Sequence, residues 1–574
     1  MNLKLDDNLH SSKKFNVIII SSVSIFAVQN LLFLITFEIN FPYSVDFPDQ
    51  FIPVFNFLTT GEFTLFLTKG VHIIFFPKLI SIPVLYLTNF DITILYYLQW
   101  IIVSFSVYIF YLILKQTDKK IIWTIIPISA FLYSPLSSSG YWALSLLPWL
   151  FAMLGIILTI YILNIKKIKP LTFSLALLFS IFSTLSIVVG VTTWISGLLL
   201  TIKNSHNSKF YNKKWIIFWI MSLITMGLIY YSLTSEDSDQ YYFEMIFSSS
   251  GLSFIANFLA SSFRLKFDFL ITTVGIISLL FSIYFLFTFT KKHYIKKFFP
   301  WFMLLLVGIS GALIATIGRA HLLETHFGNE PYYIPISQLF QIGLLVLSAK
   351  LFYDFRNYDT NKKIFSYLFI ILIITQLFLL IPSYYSGWQR GEYYYEEKNE
   401  FLSCFTSSPS LSCLNTYNPD HNEFLTMINF LIENKFSIFD DPNFIKENQI
   451  NIENFEFENH KISKHYGKII KINEQSIDYN SKLIINTPSL DITGWIITPS
   501  DEIPDSVYLL IDNEPIVTLN QYNEEIQIKE SNPYSTWRTF LMAGYIEPGC
   551  HETSLLAIKN DQKFILESSF ELCK

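Results

Sequence analysis

Residues 318–333, GRAHLLETHFGNEPYY, place one arginine, two histidines and two glutamates between two apolar segments. Arg319 presents a fork of donors that matches phosphate or pyrophosphate oxygens. The same side chain at a membrane interface could instead snorkel, its stem in the apolar layer and its head in water. His321, Glu324 and His326 are ligand types for a divalent metal, but their HxxExH spacing matches no established site. No metal ligand is assigned on that basis, and the cofactor question stays open. A second stretch, YSVDFPDQF (43–51), holds Asp46 and Asp49 around Pro48. A carboxylate fixed within hydrogen-bonding reach of an acceptor hydroxyl serves as a general base. The second carboxylate would orient the acceptor or help hold a metal. The same spacing suits a helix start with Asp46 as N-cap and Asp49 in the first turn. The two readings are compatible, because a capped helix start is a rigid mount.

The elements that must position these residues are membrane helices. The 574 residues are 52% hydrophobic, 17% aromatic and only 15% charged, with a mean hydropathy of +0.40. The apolar residues come in long blocks, and a helix crossing the hydrocarbon needs roughly 20 of them. Eleven blocks qualify: 15–37, 92–114, 121–139, 143–163, 170–187, 190–202, 215–233, 268–290, 298–317, 332–353 and 364–382. The sixth is short and begins at Gly190, which suits a half-helix or part of a broken span. The net charge of −6 is small for this length and gives no sign of a nucleic-acid partner.

Cations set the orientation. Lys13/Lys14, Lys115/Lys119/Lys120, Lys166/Lys167/Lys169, Lys209/Lys213/Lys214, Lys291/Lys292/Lys296/Lys297 and Arg356/Lys362/Lys363 fall in every second connection. The positive-inside rule puts those connections and the N-terminus in the cytoplasm. The expected fold is therefore an α-helical polytopic membrane protein with its C-terminal tail outside. Its expected domains are a membrane domain (1–382), a mixed α/β region (383–480) and a β-sandwich (481–574).

Within the tail, NEFLTMINFLIENK (422–435) predicts a helix. KLIINT, DITGWII, SVYLLID, PIVTL, TWRTFLMAGY and ETSLLAIKN predict strands. All four cysteines, Cys404, Cys413, Cys550 and Cys573, lie in this tail. An even set on the outer side suits disulfides, Cys404 with Cys413 and Cys550 with Cys573. Free thiols are the alternative, and a zinc site lacks its CxxC spacing. Trp495 and Trp537 could stack on sugars or pack in the core.

The outside connection 38–91 is too aromatic for a solvated loop and is expected to lie against the bilayer. It carries Lys69, His72 and Lys78. Lysines on the side that the rule disfavours invite an anionic partner such as a phosphate or lipid headgroup. His72 beside an apolar run could equally be structural.

The order of these features resembles the GT-C superfamily of polytopic glycosyltransferases. The resemblance rests on a first span followed by YSVDFPDQF, on KGVHIIFFPKLI, SPLSSSGYWALSLLPW and GVTTWISGLLL, and on IGRAHLLETHFGNEPYYIPIS. It covers most of residues 15–382. Arg319, Gly328 and Tyr333 match the family pattern, whereas Tyr332 stands in place of a second arginine and Gly70-Val71 in place of Asn-Glu. The resemblance implies transfer of a sugar from a polyprenyl or dolichyl phosphate carrier in the cell membrane to a glycan or protein acceptor outside. It implies Asp46 as base, Asp49 as its helper, Lys69 and His72 as phosphate or supporting contacts, and Arg319 as phosphate clamp beside Tyr333. The competing class is a non-enzymatic membrane protein: a scaffold for envelope assembly, or a transporter or flippase of lipid-linked glycans. Spans nearly free of charge argue against transport.

Overall fold

The computed structural model describes residues 13–41, 55, 60–61, 73–137, 143–164, 169–205, 213–234, 243–265, 267–291, 295–319, 330–355, 360–406, 421–440 and most of 460–574. Its helices are α1 (Lys13–Phe37), α2 (Phe75–Leu87), α3 (Thr93–Thr117), α4 (Ile125–Leu132), α5 (Ala143–Leu163), α6 (Pro170–Thr184), α7 (Thr192–Ser205), α8 (Lys213–Thr234), α9 (Ser249–Ala260), α10 (Asp268–Lys291), α11 (Ile295–Arg319), α12 (Ile334–Phe355), α13 (Thr360–Thr406) and α14 (His421–Glu433).

Among the described residues eight helices, α1, α3, α5, α8 and α10 to α13, are long and apolar enough to cross a membrane. Their burial differs sharply: 94% of the apolar window of α12 is buried against 11% of that of α8. The first is therefore a central helix. The second turns Ile217, Phe218, Met221 and Leu228 outward, a surface that water penalises and lipid accepts.

Two of the eleven expected spans, 121–139 and 170–187, are shorter than the sequence blocks suggested, and the short sixth block forms a helix of 14 residues. In 121–139, Asp118 accepts a hydrogen bond from the Lys120 N–H and starts a new turn, Lys119–Thr124. The helix that follows, α4, has eight residues and stops ahead of Pro135, which cannot continue it. Blocks 170–187 and 190–202 become α6 and α7, joined by a tight reversal. There Gly190 lies so close to Ser183 that a Cβ would sit 2.0 Å from its carbonyl oxygen. The Thr193 hydroxyl donates to Ser183 Oγ at 3.0 Å and Trp194 Nε1 to Thr184 Oγ1 at 2.8 Å. At 15 residues, α6 is about 22 Å long, short of the roughly 30 Å hydrocarbon core.

The chain divides into two compact units. The first takes residues 1–38, 62–84 and 93–395, and the second 39–61, 85–92 and 396–574. The helix α13 runs through residue 382 without a break, so the expected boundary there falls inside a continuous helix. Parts of the 38–91 connection also differ from expectation, because they share the second unit with the tail. Phe41 packs edge-on against Phe439, Phe55 against Phe430, and Phe90 stacks on Phe436 at 5.2 Å. The Ser437 N–H donates to the Asn89 carbonyl at 2.8 Å. Phe41, Phe55 and Phe90 thus have a protein core to bury them rather than the bilayer.

In the tail, α14 falls where the 422–435 pattern predicts it. The strands are β1 (His460–Ile462), β2 (Gly467–Ile472), β3 (Gln475–Ser476), β4 (Lys482–Ile484), β5 (Ser489–Ile496), β6 (Ser506–Ile511), β7 (Glu514–Gln521), β8 (Thr536–Met542), β9 (Cys550–Lys559), β10 (Gln562–Leu566) and β11 (Phe570–Cys573). Their order is β1-β10-β9-β6-β7-β8-β5-β2-β3, with β11 pairing β9 and β4. The sheet therefore begins upstream of residue 481. Ile469, Ile492, Leu509, Leu555 and Leu572 from five of these strands meet in one core that also holds Trp537. Trp537 is a packing residue. Cys550 and Cys573 are register partners on β9 and β11 and form a disulfide. Cys413 and the Cys404 side chain lie outside the described residues.

Candidate functional site

Arg319 is the last residue of α11, where a cation complements the negative end of the helix dipole. Its Nη1 donates to the Tyr332 hydroxyl at 2.7 Å, and its guanidinium carbon lies 5.2 Å from the centre of the same ring. Tyr332 and Tyr333 end a single 3₁₀ turn, Pro331–Tyr333, that leads into α12. Tyr333 is 1% exposed. Its ring is clasped by Tyr332 at 4.4 Å, Phe258 at 4.7 Å, Trp149 at 5.5 Å and Phe254 at 6.0 Å. Residues from α5, α9, α11 and α12 thus converge on one aromatic nest with a guanidinium at its edge.

The Tyr333 hydroxyl lies close enough to Arg319 and Tyr332 to feel both, yet it makes no hydrogen bond of normal geometry. An unsatisfied buried hydroxyl costs about 1–3 kcal/mol. That cost is removed when a ligand or water oxygen supplies the missing partner.

Two more arginines lie at the same end of the bundle, and the motif reading passed over both. Arg264 follows α9, whose end is pinned twice. The Ser262 N–H donates to Ser337 Oγ of α12 at 3.1 Å, and the Arg264 N–H donates to Ser383 Oγ of α13 at 2.9 Å. Arg390 stands seven residues beyond Ser383 in α13, two turns on and on the same helix face. Gly387 lies between them against the 135–136 backbone, where a Cβ would come within 2.4 Å of the Leu136 nitrogen. Only glycine allows α13 that approach. Burial, and then repulsion by Arg390, lower the pKa of Arg264, while Glu330, Asp268 and Tyr394 pull the other way. Among the described residues neither guanidinium makes a hydrogen bond or an ion pair with a carboxylate.

One signal for this pair was present in the sequence. Only 5 of the 40 basic residues are arginines, namely Arg264, Arg319, Arg356, Arg390 and Arg538. Three of the five stand at this one end of the bundle. Arg538 is instead paired with Asp491 across β5 and β8, Nε to Oδ1 at 2.9 Å, and Arg356 lies outside the described residues.

Asp46, Asp49, Lys69, His72, His321, Glu324, His326 and Gly328 also lie outside the described residues. Lys78 is on α2 and is 2% exposed. Among the described residues the one cluster of metal-ligand types is Cys550, Glu571 and Cys573. Its two sulfurs are bonded to each other, which removes them as thiolate ligands.

No protein-family model matches the chain, and no curated protein or solved structure matches it either.

Proposed function

We propose that this chain is a membrane glycosyltransferase that moves a sugar from a polyprenyl or dolichyl phosphate donor to a glycan or protein acceptor outside the cell membrane. The observation that carries the reading is the charge pattern at one end of the helical unit. Arg319, Arg264 and Arg390 collect there beside an aromatic nest and a buried, unpartnered phenol. Displacing a lipid phosphate from an anomeric carbon needs positive charge on the departing phosphate and a base for the incoming hydroxyl. The arginines would supply the first. Asp46 would supply the second, with Asp49 as its helper and Lys69 and His72 near the donor phosphate.

In this reading the N-terminus is cytoplasmic, and the arginine end and the tail are outside. The tail sheet is then a β-sandwich that positions the acceptor. Tyr332, where relatives of the resembled family carry arginine, holds Arg319 by its hydroxyl and ring face, so one guanidinium would do the work of two while Arg264 and Arg390 add charge.

The non-enzymatic alternative, a scaffold or a transporter or flippase of lipid-linked glycans, draws on the same contact. An arginine capped by a tyrosine is also a way to end a helix. Incubating purified protein and its Asp46→Asn variant with radiolabelled polyprenyl-phosphate sugars separates the readings. The expected result is transfer or hydrolysis by the wild type and a loss of at least about a hundredfold in the variant. Equal turnover by both would remove Asp46 as the base, and no turnover by either would leave the scaffold ahead.

A further inference from the structure

We propose that Arg264 and Arg390 together form a binding site for a phosphate group, carried on a lipid or free. The two positions are 126 residues apart in the chain and are brought together where the segment after α9 is tied to α13. The Arg264 backbone is tied to Ser383, and Arg390 extends from the same face of α13 two turns further on. Two half-buried guanidiniums are thereby held near enough to repel.

Like charges placed together out of water are unfavourable unless an anion lies between them. Among the described residues no carboxylate fills that role. Glu330 and Asp268 act on Arg264 from a distance, and neither forms an ion pair with it. Elsewhere in the bundle one buried cation is paired by carboxylates of the chain itself. Lys350 at the opposite end meets Asp354 at 2.7 Å and Asp118 at 3.2 Å.

The chemistry of the pair favours phosphate over a carboxylate ligand. A guanidinium fork takes two oxygens side by side, and two forks around one centre match a tetrahedral oxyanion whose charge approaches that of the pair. Tyr394, one turn beyond Arg390, also acts on Arg264, and its hydroxyl is of a type that donates to phosphate oxygen. Binding of this kind breaks no bond and does not depend on sugar transfer. The site rests on the reading above, in which the same arginines face the donor phosphate, but retention of a phosphate without turnover distinguishes failure of transfer from failure of the site.

The test uses the full chain in phosphatidylcholine nanodiscs doped with dioleoyl phosphatidic acid, with native mass spectrometry counting the lipids retained. The wild type should retain phosphatidic acid in preference to phosphatidylcholine. Arg264→Gln and Arg390→Gln should each weaken that preference about tenfold. Lys296→Gln, which removes an exposed cation at the other end of α11, should leave it unchanged. Adding inorganic phosphate separates the sources: displacement of the lipid assigns the site to phosphate itself, and persistence assigns it to phosphate carried on a lipid.

The proposal is overturned by a wild type without preference, by arginine variants that retain phosphatidic acid as the wild type does, or by equal loss in Lys296→Gln. Should a glutamine variant lose its thermal transition, Arg264→Lys and Arg390→Lys take its place. They keep the charge without the fork, so reduced retention is expected and full retention would overturn the site.

Discussion

The helices α11 and α12 join two ends of the bundle that treat charge in opposite ways. From Lys297 to Arg319 is about 33 Å along α11. At the first end Lys350 bonds Asp354 at 2.7 Å and Asp118 at 3.2 Å, with Lys297 3.7 Å from Asp118. Two cations meet two anions, and Asp118 also caps the turn that follows α3. At the second end Arg319 leans on a phenol, the Tyr333 hydroxyl is unpartnered, and Arg264 and Arg390 face each other's charge. A closed network stabilises the protein as it stands. An end that collects like charges is more stable with something added, and that difference locates the candidate site.

The largest expected effect is at the closed end. Lys350→Met strands Asp354, which already has an unpartnered oxygen, and leaves Asp118 with Lys297 alone as its cation. Breaking a buried ion network from one side costs about 3–5 kcal/mol, so thermal unfolding of the purified protein should move down by several degrees. An unchanged melting temperature would mean that this network is solvated and the contrast between the ends is lost.

Smaller effects separate the two tyrosines. Tyr332→Phe removes a hydrogen bond to a charged group and should cost about 1–2 kcal/mol. Tyr333→Phe removes a hydroxyl that has no partner, so the ligand-free protein should be unchanged or slightly more stable. Melting both variants side by side checks the order, and a larger loss for Tyr333→Phe would show that its hydroxyl is already satisfied within the fold.

The smallest effect belongs to an ion pair in water. On the tail sheet His551 Nδ1 lies 2.7 Å from Asp512 Oδ2. That hydrogen bond is the main cause of a lowered Asp512 pKa. A depressed carboxylate pKa adds stability above the unfolded value, near 3.9, which is lost as pH falls through the folded value. With the Asp512 side chain 54% exposed, solvent screening limits the gain to below about 0.5 kcal/mol. Hydrogen exchange of the β9 amides, corrected for intrinsic rate, should show Asp512→Asn less protected at pH 7 and equal to the wild type near pH 2.

Local pattern carried much of this architecture. Apolar blocks of roughly 20 residues located the long helices because a helix satisfies its own backbone and needs only length to cross the hydrocarbon. The same locality placed α14 and most of the tail strands, from β4 to β9, since alternation and amphipathic spacing are read within ten residues. Four cysteines allow three pairings, and Cys550 with Cys573 was expected because the pair would tie two late strands.

What depended on tertiary structure was everything that joins distant positions. The reversal between α6 and α7 needed Gly190 against Ser183, and it left the expected span 170–187 as a helix of 15 residues. Phe41, Phe55 and Phe90 looked like bilayer residues, because hydrophobicity says that a side chain avoids water but not which apolar partner receives it. The site shows the same division. Arg319 announced itself within a polar run, whereas Arg264 and Arg390 each look like a solitary surface cation. Only the tie from the segment after α9 to Ser383 of α13 makes them neighbours, and a charge acquires its chemical meaning from the charges that folding places beside it.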